Sequence, residues 1–273
     1  MRSLESQGHE AVGIDAATGG DITDEAGFRD ALARCQPDAV VHVAALLTPA
    51  SADDPVLAAR VNCVGSAVVM HCSLSAGVST VLFASSVAAI APRSVYGATK
   101  AFGEHLATAL HYAHPDSRLI GLRFGWIYGE GRARGWNEVM KVVSGFALER
   151  DEVRYPEFDH ALDWTHIDDA AAAVVACLER APRGVNLYDV VGDRRRVSEA
   201  VDHLRRRFPE TRAISYAAVT PPTEWSALDP RPLADDICFR CSISMEEGLD
   251  RTVDAIRRAA GLAPRHKGGC VND

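Results

Sequence analysis

SVYGATK, Ser94 to Lys100, is the stretch on which the reading of this chain turns. Tyr96 and Lys100 stand four residues apart at the start of a helical pattern, AFGEHLATALHYA. Residues at i and i+4 share one face of a helix, so the phenol and the ammonium point into the same space. A lysine charge beside a phenol favours the phenolate and lowers a pKa that is otherwise about 10. That makes Tyr96 a candidate general acid/base near neutral pH. The plain alternative is a helix N-terminus with a solvated lysine, and the flanking sequence decides between the two.

Ten residues upstream is VLFASS, Val81 to Ser86, a buried-strand pattern ending in small hydroxyl residues. Strand, hydroxyl, then Tyr-x-x-x-Lys on a helix resembles the short-chain dehydrogenase/reductase superfamily. The closer resemblance is to its extended branch, the NAD-dependent epimerase/dehydratase family. This implies an α/β fold: a Rossmann-like doubly wound parallel sheet with a smaller C-terminal substrate-binding lobe. The expected division is residues 1–123 plus about 163–192 for the cofactor-binding core, and about 124–162 and 193–273 for the lobe.

The bulk composition agrees with such an enzyme. At 273 residues, 47% hydrophobic and 24% charged, the chain can bury a substantial core in one large domain or a domain with a smaller lobe. Its net charge is −8, and the runs Arg194–Arg196 and Arg205–Arg207 sit among acidic residues, which disfavours nucleic acid. No apolar run is read as a membrane span and no signal-peptide pattern opens the chain, so a cytoplasmic protein is expected. Seven scattered Cys fit that reducing compartment. Cys238 and Cys241 form a lone C-x-x-C without a second pair, so no metal is expected there.

Leu4 to Asp15 reads as the end of a helix, a Gly cap at Gly8 and a strand, Glu10–Ile14, closing on Asp15. An acidic residue ending the second Rossmann strand holds the adenosine ribose, and Asp15 fits that place. Ala16 and Ala17 follow it rather than a basic residue, which favours NAD over NADP. Only three residues precede Leu4, so the usual first strand and glycine-rich pyrophosphate loop are not in the sequence. Two accounts are weighed: a start placed too late, or a real loss. On either account the 273 residues as written are expected to bind NAD poorly. A real loss would suit a non-catalytic, ligand-sensing or pairing protein of Rossmann-like fold.

The resemblance implies further residues in order. Asp21 and Ile22 match the adenine contact, and Thr23 is read as the cap of a helix running to about Cys35. DAVVHVAAL, Asp38 to Leu46, is a buried parallel strand whose Ala44 and Ala45 let the cofactor approach the backbone; His42 within it is read as structural. Asn62 matches the Asn that holds the active-site scaffold. Ala84 lies in the cofactor site, and Ser86 aligns with the catalytic hydroxyl, with Ser85 as its rival. Only nine residues separate Ser86 from Tyr96, fewer than in most relatives. Phe124 to Trp126, after the strand that starts at Arg118, would flank the nicotinamide. Asp168 or Asp169 would cap the next helix, and Ser244 with Glu247 forms a capping-box pattern.

The catalytic set so implied is Ser86, Tyr96 and Lys100, acting with NAD on a small-molecule hydroxyl or ketone. Relatives often pair through the helices after Asn62 and Tyr96, which implies a homodimer. Nucleotide-sugar epimerases usually carry Asn where Trp126 stands and Arg where Leu162 stands, so a simpler sugar-like, sugar-acid or polyol substrate gains weight. Arg132, Arg134 and Arg150 could compensate.

Overall fold

A computed structural model describes residues 1–131, 138–218 and 227–265. Among these, in chain order, the helices are α1 (Arg2–Glu5), α2 (Glu25–Cys35), α3 (Ala50–Asp53), α4 (Pro55–Ala58), α5 (Gly65–Ser75), α6 (Val95–Ala113), α7 (Glu138–Ala147), α8 (Ile167–Arg180), α9 (Val197–Arg207), α10 (Arg231–Ile237) and α11 (Met245–Ala259). The strands are β1 (Ala39–His42), β2 (Thr80–Ser86), β3 (Arg118–Phe124), β4 (Trp126–Tyr128), β5 (Glu152–Glu157), β6 (Leu162–His166), β7 (Gly184–Val190), β8 (Asp193–Arg195) and β9 (Arg212–Ala217). The chain divides into two compact units.

The first unit comprises Met1–Phe124, Ala170–Val190 and Pro222–Arg240. Its sheet is wholly parallel, in the order β1-β2-β3-β7. A parallel strand covered on both faces must be apolar on both, and β2 is buried at six of its seven positions. Val81, Phe83 and Leu119 pack with Met70, Leu74 and Ala107 from α5 and α6. A second cluster joins Phe28 and Leu32 of α2 to Val69, Cys72 and Val78, with Ile22 and Val40 against it. Phe83 lies over Gly121, where a Cβ would come within 2.7 Å of the ring.

Several expectations change here. Glu10–Ile14 forms no strand: β1 pairs only with β2, so this segment lacks the ladder that defines a strand. Gly8 does take the left-handed conformation, with φ of 86°. The cap of α2 is Asp24, not Thr23, because its carboxylate accepts from the Gly27 N–H at 3.2 Å. The Asp38–Leu46 run pairs only over Ala39–His42. The helical stretch Pro55–Ser75 is long and apolar enough to cross a membrane by length and composition, contrary to the sequence reading. Its apolar residues Val69, Met70 and Leu74 are spent on the core of this unit.

The second unit comprises Gly125–Asp169, Val191–Pro221 and Cys241–Asp273. Residues 163–169 therefore belong to it rather than to the first unit, because β6 pairs with β4 and β8. Residues 222–240 move the other way. Helix α10 is tied to β7 by Tyr188 Oη donating to Asp236 (3.1 Å) and by the Asp229 N–H donating to Asp189 (2.8 Å). The second unit also contains the parallel pair β5–β9. Its core includes Trp126, Tyr128 and Trp164, with Trp126 edge-on to Trp164 at 4.8 Å. The acidic residues at the start of α8 also differ from expectation. Asp169 accepts from the N–H groups of Ser242 and Ile243, and Asp168 pairs with Arg251 at 3.0 Å. Ser244 caps α11, while Glu247 turns to Arg251 instead of closing the box.

Candidate active site

The four strands of the first unit end, in register, at His42, Phe83 to Ser86, Phe124 and Val190. The carboxyl ends of parallel strands are where open α/β sheets bind ligands. Helix α6 brings Tyr96 and Lys100 to this end. Ser94 starts the helix by accepting from the Gly97 N–H at 3.0 Å. The short connection from Ser86 folds into a turn, Val87–Ala89, capped by Ser86 itself through the Ala88 N–H at 3.2 Å. The first turn of α6 rests on that turn. A Cβ at Gly97 would lie 2.5 Å from the Ala88 carbonyl, so glycine there permits the approach.

Lys100 Nζ lies 5.5 Å from the centre of the Tyr96 ring and donates to the Ala84 carbonyl at 2.7 Å. Burial pulls its ammonium down to about 8. An ammonium has three donors, so one carbonyl leaves others for a ligand. The two rival serines separate by the pleat, which sends successive side chains to opposite faces. Ser85 Oγ donates to Glu104 at 2.5 Å and is committed there. Ser86 keeps a little exposure and accepts only a backbone N–H among the described contacts.

Asn62 sits on a π-helical turn, Ala59–Val64, and is buried. Its Oδ1 accepts from the Leu46 N–H at 2.7 Å, and its Nδ2 donates to the Leu46 carbonyl and to Thr99 Oγ1, both at 3.0 Å. Thr99 in turn donates to the Tyr96 carbonyl at 2.8 Å. Asn62 thus ties the segment after β1 to the turn of α6 that carries Tyr96. Ser66 donates to the Asn62 carbonyl at 2.5 Å, so His42 Nε2, 2.9 Å from Ser66 Oγ, is the donor in that pair. Burial first, and then the Lys100 charge, hold His42 down at about 4. A neutral, donating imidazole is a structural group here.

The cofactor residues named from the sequence fall in two groups. Ala44 is exposed and Ala45 half-buried just beyond β1, Ala84 gives its carbonyl to Lys100, and Phe124 ends β3. Asp15 and Asp21 lie on adjoining turns, since the Gly20 N–H donates to the Asp15 carbonyl at 3.0 Å. Asp15 accepts from the Ala17 N–H, and Asp21 from Thr23 N–H and Oγ1, all at 2.8 Å; the Thr23 bonds lower the Asp21 pKa. Ile22 packs on α5, where a Cβ at Gly65 would meet it at 2.5 Å. The Trp126 indole is buried in the core of the second unit. Spare donors on Lys100, small residues at the end of β1 and exposed carboxylates fit a dinucleotide. Arg132 and Arg134 lie outside the described residues.

Two participants were not found in the sequence reading. Thr99 links Asn62 to Tyr96, and Glu104 lies one turn beyond Lys100. The signal for Glu104 was the helical spacing of Tyr96, Lys100 and Glu104, each four residues from the next.

Comparison with known proteins places this chain in a family. The description "NAD dependent epimerase/dehydratase family" matches residues 1–191. A dTDP-L-rhamnose 4-epimerase of Burkholderia thailandensis is 34% identical over 102 residues, 36% of this chain and 28% of that protein. A UDP-glucose 4-epimerase of Rhizobium leguminosarum bv. trifolii is 28% identical over 210 residues, 66% of this chain and 64% of that protein. The chain thus spans less than two thirds of either relative. Crystal structures of UDP-glucose 4-epimerases are similar in fold. That from Thermus thermophilus, in complex with NAD, has a TM-score of 0.80 at 23% identity, covering 94% of both chains. That from Thermotoga maritima, with UDP-glucose, has 0.83 at 20% identity, covering 95% of this chain and 94% of that one. With its parallel sheet, its Tyr-x-x-x-Lys helix and a match over residues 1–191, the chain belongs to the NAD-dependent epimerase/dehydratase family.

Proposed function

We propose that this protein is an NAD-dependent oxidoreductase or epimerase/dehydratase acting on a secondary hydroxyl or ketone of a sugar-like or polyol substrate. The observation that carries this reading is the Lys100 ammonium, 5.5 Å from the Tyr96 ring and, among the described residues, bonded to one carbonyl. NAD, when bound, supplies the hydride acceptor and donor. Tyr96 Oη takes the hydroxyl proton or returns it. Lys100 stabilises the phenolate and would hold the ribose of a bound NAD. Ser86 Oγ hydrogen-bonds the substrate oxygen. Asp15, Asp21, Ala44 and Ala45 hold and admit the adenosine end, and Asn62 keeps Tyr96 in place through Thr99.

The relatives' names point to nucleotide sugars, but two residues of this chain weigh against a nucleotide diphosphate. Trp126 is buried and Leu162 is buried and apolar, where the nucleotide-sugar epimerases carry an Asn and an Arg. The test is incubation with NAD and, in parallel, UDP-glucose, free sugars, sugar acids and polyols, with products followed by NMR. Faster conversion of an unactivated sugar, sugar acid or polyol is expected. Preferred conversion of UDP-glucose would overturn the substrate assignment, and conversion of none by NAD-loaded protein would overturn the enzymatic reading.

A further inference from the structure

Beneath the site, a buried polar ladder crosses the sheet where an apolar core would be expected. Ser85, Arg123 and Asp189 are register partners on β2, β3 and β7. Glu104 of α6 closes the ladder from the helix side. Its Oε1 accepts from Ser85 Oγ (2.5 Å) and Arg123 Nε (2.8 Å), and its Oε2 from Arg123 Nη2 (2.7 Å). Arg123 Nη1 lies 3.7 Å from Asp189, whose other oxygen accepts from the Asp229 N–H. Glu104 and Asp189 are buried. A buried bidentate Arg–carboxylate pair is both strong and geometrically exacting, because each bond requires the two planes to align.

The ladder's position gives it a consequence for the site. Tyr96, Lys100 and Glu104 are successive positions on one stripe of α6. Ala84, Ser85 and Ser86 are successive positions on β2. Lys100 bonds to Ala84 and Glu104 to Ser85, so the helix is fastened to the strand at two adjacent rungs. A slip at the lower rung displaces the upper one, and with it the separation of ammonium and phenol.

We propose that Glu104, held by Arg123 and Ser85, is a positioning residue that sets the register of α6 on β2 and so places the Lys100 ammonium against the Tyr96 phenol. The inference rests on the reading of Tyr96 and Lys100 given above. Glu104 touches neither substrate nor cofactor in this account and acts through the helix.

The test needs no substrate or cofactor. The Tyr96 phenol is titrated by its absorbance near 295 nm, as the difference between each protein and the same protein carrying Tyr96→Phe. In the parent the midpoint falls below the ordinary value of about 10. Glu104→Asp keeps the charge but shortens the reach, and is expected to raise the midpoint by about half a pH unit or more, because ion–phenolate attraction weakens with distance. Glu104→Gln is expected to shift it the same way. The sign is informative. Removing a negative charge without moving the helix would lower the midpoint, since phenolate is favoured when a nearby anion is lost. A lowered or unchanged midpoint in either folded variant overturns the inference. If both variants fail to fold, Ser85→Ala, which removes one neutral donor, serves instead with the same expected direction. An unshifted parent midpoint would count against the Tyr96 reading itself, so the two failures are distinguishable.

Discussion

Two enclosed cations, Lys100 of the first unit and Arg207 of the second, are held in opposite ways. In the second unit Arg207 donates to the Arg265 carbonyl (2.6 Å), to Asp250 (3.2 Å) and to Asp254. Arg257 beside it donates to the carbonyls of Ala263 and Ala147 and to Glu149, at 2.7 to 2.8 Å. Both guanidiniums lie 5.7 Å from the Phe208 ring, and Arg265 lies 5.4 Å from it. In the first unit Lys100 has one carbonyl, and burial lowers its proton affinity to about 8. A saturated cation holds structure together. A buried cation with donors to spare costs stability and is retained for what it binds.

The same substitution in both units sharpens that difference. Lys100→Met should cut turnover by at least about 100-fold, since it removes the partner of the acid/base group. It should also stabilise the fold by about 1–2 kcal/mol, because the ammonium's depressed pKa is a cost at neutral pH. Arg207→Met should leave turnover within a few-fold and destabilise by about 3 kcal/mol, since the Arg265 carbonyl, Asp250 and Asp254 each lose a charged donor. Urea unfolding and a turnover assay on both variants check this. Destabilisation by Lys100→Met comparable to that by Arg207→Met would erase the contrast.

Acid separates the units by sign. His42 is held at about 4 in the fold, against about 6.5 free, so the unfolded chain takes the proton first. Its contribution is lost as pH falls from about 6.5 to 4, by about 3 kcal/mol. Asp163 of the second unit is raised by burial to about 6, despite accepting from Thr165 Oγ1 and the Gly192 N–H. The folded chain takes that proton first, so stability is gained as pH falls from about 6 towards 3.8. Urea midpoints between pH 7 and 4 should therefore be less acid-sensitive in His42→Asn than in the parent, and more so in Asp163→Asn. Identical slopes in all three proteins would contradict both assignments.

The comparison also separates what was readable in the residues from what was not. The parallel sheet was readable chiefly from Val81–Ser86, an apolar run buried at six of the seven positions of its strand, as a doubly covered strand requires. The start of α6 was readable because Ser94 precedes the periodic run and caps it. Glu10–Ile14 misled because a strand-like pattern forms a strand only when a neighbour offers a ladder. The Glu104 ladder stayed hidden because Ser85, Glu104, Arg123 and Asp189 meet only through sheet register, across gaps of 19 residues and more. The ties of Asp229 and of Asp236 in α10 to β7 are equally non-local and leave no mark in the sequence.

The central claim is that Tyr96, tuned by Lys100, moves the proton while NAD carries the hydride. Tyr96→Phe tests it most directly, in protein loaded with NAD and the substrate found by NMR. Turnover at pH 7 should fall by about 100- to 10,000-fold. NAD affinity by fluorescence titration should stay within about twofold, because Phe keeps the ring and its packing. Near-full turnover of Tyr96→Phe at pH 7 would contradict the claim.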